Sequence, residues 1–240
     1  MDDSMSYAYY NEALGLLIPL LDHPEAIPRD ELLAAIVILR GYEEFMEADE
    51  GTHLFGSARL LDHLASPESP SGPDATSSLS TAARWVILRQ YVYFGLTRSE
   101  PMQLGLETYI DLNSNDAFND EGWCNHAVLL FVKTLECSLK ASGIPASDWQ
   151  DLTESNELWF QNKPISFAPI WEDLPNEASD MSFPLTWCLE DVHLIGLQHY
   201  HLTKILLAIF DPRTTGSGFD SFRRKLDANV RSSISSQYYC

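Results

Sequence analysis

The chain has 240 residues, of which 45% are hydrophobic and 11% aromatic, enough to fill a sizeable core, so it is not a disordered polymer. Thirty-five acidic residues against 15 basic ones leave a formal charge of −20 and a pI near 4.5. Affinity for nucleic acid comes mostly from Lys and Arg neutralising phosphates, and the one basic triplet, Arg223, Arg224 and Lys225, reads as a solvated helix face; no direct contact with nucleic acid is expected.

The four cysteines, Cys124, Cys137, Cys188 and Cys240, form no C-x-x-C pair, which argues against a zinc module or a dense disulfide framework and for thiols in a reducing compartment. The opening "MDDSMSYAYYNE" lacks the basic-then-apolar order of a signal peptide, and charged residues interrupt every long apolar run. A soluble intracellular protein without membrane contact is expected.

Residues 1–30 read as an N-terminal extension with a short helix. "RDELLAAIVILRGYEEFMEA" then places apolar residues every three to four positions, after Pro28 and with Asp30 and Glu31 at the positive end of a helix. "THLFGSARLLDHLA" predicts a second helix paired with it. The Pro, Ser and Gly content over 66–80 predicts a loop within one domain. A helix follows from about Thr81 to Thr97, capped by Ser80 or Thr81, with Trp85, Leu88, Val92 and Leu96 on one face. Another runs from about Asn125 to Ala141 and stops at Gly143, and a third from Asp148 to about Phe160 is amphipathic through Trp149, Leu152 and Trp159. "KPISFAPIWEDLP" reads as an ordered surface loop. The final long helix is "WCLEDVHLIGLQHYHLTKILLAIFDPR", ending before Pro212, with a more polar helix from about Phe219 to Ser233 behind it. No stretch reads as an alternating strand of useful length. The expected fold is all-α, an irregular multi-helix bundle with its main domain over 31–213 and a divergent tail over 214–240.

The last long helix crowds His193, His199 and His201 into nine positions. At about 100° and 1.5 Å per residue, His193 and His201 stand roughly 80° and 12 Å apart, too far for one metal, and His199 and His201 point to nearly opposite sides. The i, i+4 pair of a zinc helix is missing, and His23, His53, His63 and His126 show no ligand spacing. No metal and no cofactor is expected. An acid–base role for His193, oriented by Glu190 or Asp191, or for a Lys204 whose pKa drops on an apolar helix, competes with plainer roles: helix-end carboxylates, a Lys that reaches out to water and core histidines with satisfied hydrogen bonds. Nucleophile elbows, phosphate loops and dinucleotide fingerprints are missing from the sequence.

Four stretches in order are similar to the regulatory domain of fungal zinc binuclear cluster transcription factors. "AARWVILRQYVYFGLTRSEPMQL" resembles a family segment in which a Trp precedes an Arg-Gln pair and an aromatic, here Trp85, Arg89, Gln90 and Tyr93. "NHAVLLFVKTLECSL" resembles the helix that follows. "WQDLTESNELWFQNKPISFAPIW" resembles the family's Trp-Lys-Pro-Phe-Pro stretch, here Trp159, Lys163, Pro164, Phe167 and Pro169, and "FPLTWCLEDVHLIGLQHYHLTKILLAIFDPR" resembles its C-terminal part. Upstream, "LLAAIVILRGYEEF" and "HLFGSARLL" fit the opening helix pair, so the resemblance spans about Glu31 to Arg213. It implies a nuclear, helical, effector-sensing or interaction domain that normally follows a six-cysteine DNA-binding module. No position here matches those cysteines, and the chain stops at "SSQYYC" where family members run on, as a truncated gene model, a fragment or a shortened paralogue would.

The leading expectation is therefore a transcription-regulator-like protein acting through protein contacts, a full-length regulator among them, or through a small apolar effector. An effector pocket is expected near Trp85, Arg89, Trp187, His193, Gln198 and His201. The acidic "EEFMEADE" over 43–50 reads as a solvated helix end or an activation segment. Two other readings stay open: a repurposed metabolite-binding domain or enzyme using His and carboxylate acid–base chemistry, marked by a His and a carboxylate converging in a closed cavity; and a dominant-negative partner, marked by a large exposed apolar patch.

Overall fold

A computed structural model describes residues 3–21, 29–44, 78–98, 105–106, 109–110, 119–140, 143–173 and 185–214. Among them are six α-helices, two 3₁₀ turns and one two-stranded sheet, so the described residues are mostly helical, as the periodicity predicts. The helices are α1 (Asp3–Leu21), α2 (Arg29–Glu43), α3 (Ser78–Arg98), α4 (Asp120–Ser138), α5 (Ala146–Asn162) and α6 (Asp191–Ile209). The expected helices over "THLFGSARLLDHLA" and 219–233 lie outside the described residues, as does the 66–80 loop before Ser78. The chain divides into two compact units, one of residues 1–98 with 103–105 and one of the remainder.

In the first unit α1 and α2 share a core of Leu17, Leu32, Ile36 and Leu39, with Tyr10 and Leu14 packed against it. The expected short N-terminal helix is thus a 19-residue one. Tyr10 stacks on Tyr42 at 4.8 Å between ring centres and donates to Glu43 at 3.2 Å. Glu43 and Glu44, the start of the acidic run, lie 3.8 and 3.7 Å from the buried Arg40. On α3, Trp85, Leu88 and Val92 are buried as the 3.6-residue period requires, but Leu96 is exposed. Gln90 of α3 donates to the Val37 carbonyl of α2 at 3.4 Å.

The second unit is built on α4. Asn119 caps it, accepting from Gly122 N–H at 2.6 Å, and Asp120 and Glu121 occupy the first turn where the dipole favours anions. The helix therefore starts earlier than its apolar pattern alone suggests. The turn beyond it uses Gly143 at φ +66°, a conformation that costs a Cβ-bearing residue but not glycine. At its far end α5 stops where Pro164 forces the preceding Lys163 into an extended conformation.

The segment expected to be a plain surface loop contains a 3₁₀ turn, Ile165–Phe167, and strand β1, Trp171–Asp173. Strand β2, Leu185–Trp187, pairs with it antiparallel, Trp171 opposite Trp187. This short pair is a minor addition to a mostly helical fold. One expectation fails here: Trp187 belongs to the sheet instead of to the final helix, because α6 begins only at Asp191. Three residues per strand are too few to show alternation in the sequence.

Helices α4, α5 and α6 enclose two adjoining cores. One contains Cys124, Ala127, Leu130, Trp159, Phe167 and Tyr200. The other contains Cys137, Ile144, Leu152 and Leu207. Trp159 anchors the first: its ring meets Phe167 edge-on at 5.7 Å and Tyr200 at 5.9 Å, and its N–H donates to the Trp123 carbonyl at 2.9 Å. Gly196 lets α6 approach this cluster, since a Cβ there would stand 2.7 Å from Phe167 Cε1.

Candidate functional site

The three histidines of α6 separate into three roles. His193 is 1% exposed and both of its ring nitrogens are engaged. Nε2 lies 2.8 Å from Asp120 Oδ2, and Nδ1 accepts from the Glu190 backbone N–H at 3.3 Å. Acceptance at Nδ1 places the ring proton on Nε2, which donates to the carboxylate. The Asp120 carboxyl is held below its usual range, first by the His193 hydrogen bond, with a further contribution from Ser166 Oγ, which donates to Oδ1 at 2.8 Å. His193 also meets the Phe167 ring edge-on at 4.8 Å.

The carboxylate that orients His193 is therefore neither Glu190 nor Asp191. It comes from the first turn of α4; Glu190 meets the imidazole only through its backbone N–H, while its side chain accepts from the His193 backbone N–H. His193 occupies the third position of α6 and satisfies the N–H of the capping residue, the part a Glu plays in a capping box. A His and a carboxylate do converge, but the imidazole is packed against Phe167, with no ring nitrogen left for a substrate. The arrangement ties the starts of two helices to the 3₁₀ turn.

His199 Nδ1 bonds the Ile195 carbonyl one turn back at 2.8 Å, and its ring abuts Phe131 at 5.6 Å. His201 is half-buried beside the Tyr200 ring, at 4.9 Å, and its pKa is pushed down to about 4, mainly by burial and then by the nearby Lys204 charge. Among the described residues no group of three or more His, Cys, Asp and Glu is arranged to hold a metal.

Of the six residues expected around an effector pocket, Trp85 and Arg89 belong to the first unit and Trp187, His193, Gln198 and His201 to the second. Within the second they do not converge: Trp187 is 60% exposed on β2 and packs on Trp171 at 5.9 Å, Gln198 is exposed, and His193 is enclosed.

A cleft of about 180 Å³ lies elsewhere, between α5, α6 and the 3₁₀ turn that follows α6, Pro212–Thr214. Its walls include Trp149, Thr153, Asn156 and Glu157 of α5 and Lys204, Leu207 and Ala208 of α6. Lys204 Nζ lies 3.2 Å from Glu157 Oε1 and donates to Tyr200 OH at 3.2 Å. Tyr200 OH in turn donates to the Glu157 carboxylate at 3.3 Å. Burial alone would lower the Lys204 pKa, but the bonds and charges of Tyr200 and Glu157 outweigh it and the pKa is raised, opposite to the drop that an acid–base role would use. Lys204 stays a charged, half-exposed cation. At the cleft's end Arg213 forks onto Asp211, at 2.8 and 2.6 Å, and lies 4.4 Å over the Trp149 ring. Trp149 N–H donates to the Leu207 carbonyl at 2.7 Å.

Sequence reasoning missed this cleft because its parts are ordinary singly. The one local signal is Tyr200 and Lys204 at i, i+4, which puts both on one helix face. Among the described residues no helix is long and apolar enough to cross a membrane. Comparison with models of known families, with curated proteins and with solved structures finds no match to this chain.

Proposed function

We propose that this chain is a transcription-regulator-like protein of the fungal zinc binuclear cluster type. It acts in the nucleus through contacts with other transcription proteins, including full-length regulators, or through a bound small effector, and does not itself touch DNA. The observation that carries this reading is the ordered recurrence of four stretches that resemble the family's regulatory domain. Three of them become α4, α5 with its following turn, and β2 with α6, whose side chains share one core around Trp159. The charge of −20 supports action through proteins over action on phosphates. The enclosure of His193, the most chemically suggestive residue in the sequence, favours a binding and regulatory role over acid–base catalysis.

The test is a tethering experiment. The full chain, fused to a heterologous DNA-binding domain and expressed in a fungal host, is expected to raise or lower transcription of a reporter several-fold relative to that domain alone. A fusion that is nuclear and abundant yet leaves the reporter unchanged overturns the reading.

A further inference from the structure

Ile170, Trp171, Trp187 and Leu189 form an exposed apolar patch at the small sheet. Trp171 stands directly opposite Trp187, their rings 5.9 Å apart at 67°, and the Ile170 N–H donates to the Trp187 carbonyl at 2.8 Å. These four residues are between 47% and 64% exposed. Of the chain's six tryptophans only these two are exposed, the other four being buried or half-buried. Single apolar residues at a surface are ordinary, but neighbouring ones with two indoles among them mark a contact surface. Trp is also among the residue types that most often anchor a protein interface.

The charge around the patch selects its occupant. Glu172 follows Trp171, Glu190 and Asp191 follow Leu189, and all three are exposed. Over 164–203 the sequence has no Lys or Arg. The cation just before this stretch, Lys163, is committed to Phe160: it donates to that residue's carbonyl at 3.1 Å and lies 3.7 Å over its ring. A second copy of the chain would bring like charges face to face across a two-fold axis, and an anionic lipid surface would be repelled in the same way. An apolar surface with a negative border fits a partner that carries apolar and cationic groups together. The indoles match such a partner as well, since a guanidinium or ammonium is drawn to the face of Trp more than to that of Tyr or Phe.

We propose that this face docks a basic, amphipathic segment of another protein. Its apolar side chains rest on Ile170 and Leu189, and its Arg or Lys cations lie over Trp171 and Trp187, beside Glu172 and Asp191. Docking here does not depend on the regulatory reading, since a chain that leaves a reporter unchanged can still bind such a segment.

The probe is a fluorescently labelled synthetic peptide of Arg and Leu in amphipathic order, titrated with the intact chain and followed by anisotropy. Counterparts with Ser or Glu in place of every Arg are titrated alongside. The Arg peptide is expected to bind saturably, the Ser peptide about tenfold or more weakly, and the Glu peptide not at all. Trp171→Ala combined with Trp187→Ala, checked for native circular dichroism, is expected to weaken the Arg peptide by about tenfold or more, as loss of aromatic anchors does. Glu172→Gln with Asp191→Asn is expected to weaken it by about threefold or more. Asp151→Asn with Glu154→Gln removes the same charge from exposed positions of α5 and is expected to change it by less than about twofold. Failure of the Arg peptide to bind, or equal affinity for the Arg and Ser peptides, overturns the proposal. So does binding that survives loss of both tryptophans, or equal losses in the two charge-removing pairs. Sedimentation of the chain with phosphatidylserine vesicles, without binding of the Arg peptide, would assign the face to a membrane and overturn it as well.

Discussion

Asp120 and His193 stand 73 positions apart in sequence, yet their side chains meet at 2.8 Å and join the first turn of α4 to the first turn of α6. Because Asp120 is partly exposed, water screens part of this bond, and Asp120→Ala is expected to cost about 1–2 kcal/mol. His193→Ala removes the buried ring as well and is expected to cost about 2–4 kcal/mol. Urea denaturation followed by circular dichroism checks both. Equal midpoints for Asp120→Ala and the parent would show that the bond contributes nothing.

Acid stability carries contributions of two kinds, from carboxyls held low, Asp120 and Asp211, and from histidines held low by burial, His126 and His201. Asp120 has a carboxyl pKa depressed by the His193 bond, so its stabilisation is complete above the unfolded carboxyl pKa, near 4, and is lost as pH falls through the lower folded value. His201 differs in window. Its folded pKa of about 4 lies below the ordinary imidazole value of 6.5, so the unfolded chain binds more protons between those values and stability falls as pH drops from 6.5 towards 4. His201→Gln is expected to reduce the fall of the melting temperature over that range, with His126 supplying the remainder, and Asp120→Asn to reduce it only below about pH 4. Thermal melts at half-unit pH steps distinguish them.

Gly196 is expected to be intolerant of even one methyl group. A Cβ at this position would sit 2.7 Å from Phe167 Cε1, 3.4 Å from Trp159 Cζ2 and 3.5 Å from the Cys124 backbone. Phe167 is fully buried and cannot swing aside. Gly196→Ala is therefore expected to lose about 1–3 kcal/mol from overpacking, despite the roughly 1 kcal/mol that alanine gains in a helix interior. Paired with Phe167→Leu, the same change should cost less than the sum of the two, a coupling that a double-mutant cycle reads directly.

The Trp171–Trp187 pair is expected to matter locally and little elsewhere. Both rings are largely exposed, on strands of three residues each. Trp187→Ala should cost about 0.5–1 kcal/mol and abolish any exciton coupling of the two indoles in the circular dichroism spectrum. A larger loss would mean that the strand pair supports the helices beyond it.

Much of the helical layout was legible in sequence. Trp149, Leu152 and Trp159 mark the inner face of α5, and all three are buried or half-buried as their spacing requires. Asn119 and Asp120 open α4 by capping chemistry that an apolar pattern alone does not locate, so periodicity points to a start several residues too late. The apolar residues around Trp187 continue the pattern of α6 and suggest a helix, although Trp187 ends a strand and the helix starts only at Asp191. The site was harder to read. Glu190 and Asp191 are near His193 along the chain, whereas Asp120 reaches it only through the packing of α4 on α6. Likewise, the cleft depends on Glu157, Lys204 and Arg213 coming together from three elements, and no local spacing encodes that meeting.

The short 3₁₀ turn at Ile165–Phe167 is held from two sides. Ser166 bonds the Asp120 carboxylate, and the Phe167 ring is lodged among Trp159, His193 and the gap left by Gly196. The Phe167 amide, which donates to the Pro164 carbonyl next to a fully buried ring, is thus shielded like one in the middle of a long helix, whereas Ala168 beside it is exposed. In deuterated water Phe167 should retain its proton as long as the centre of α4 does, and surrender it together with that helix when the whole unit opens, while Ala168 exchanges sooner.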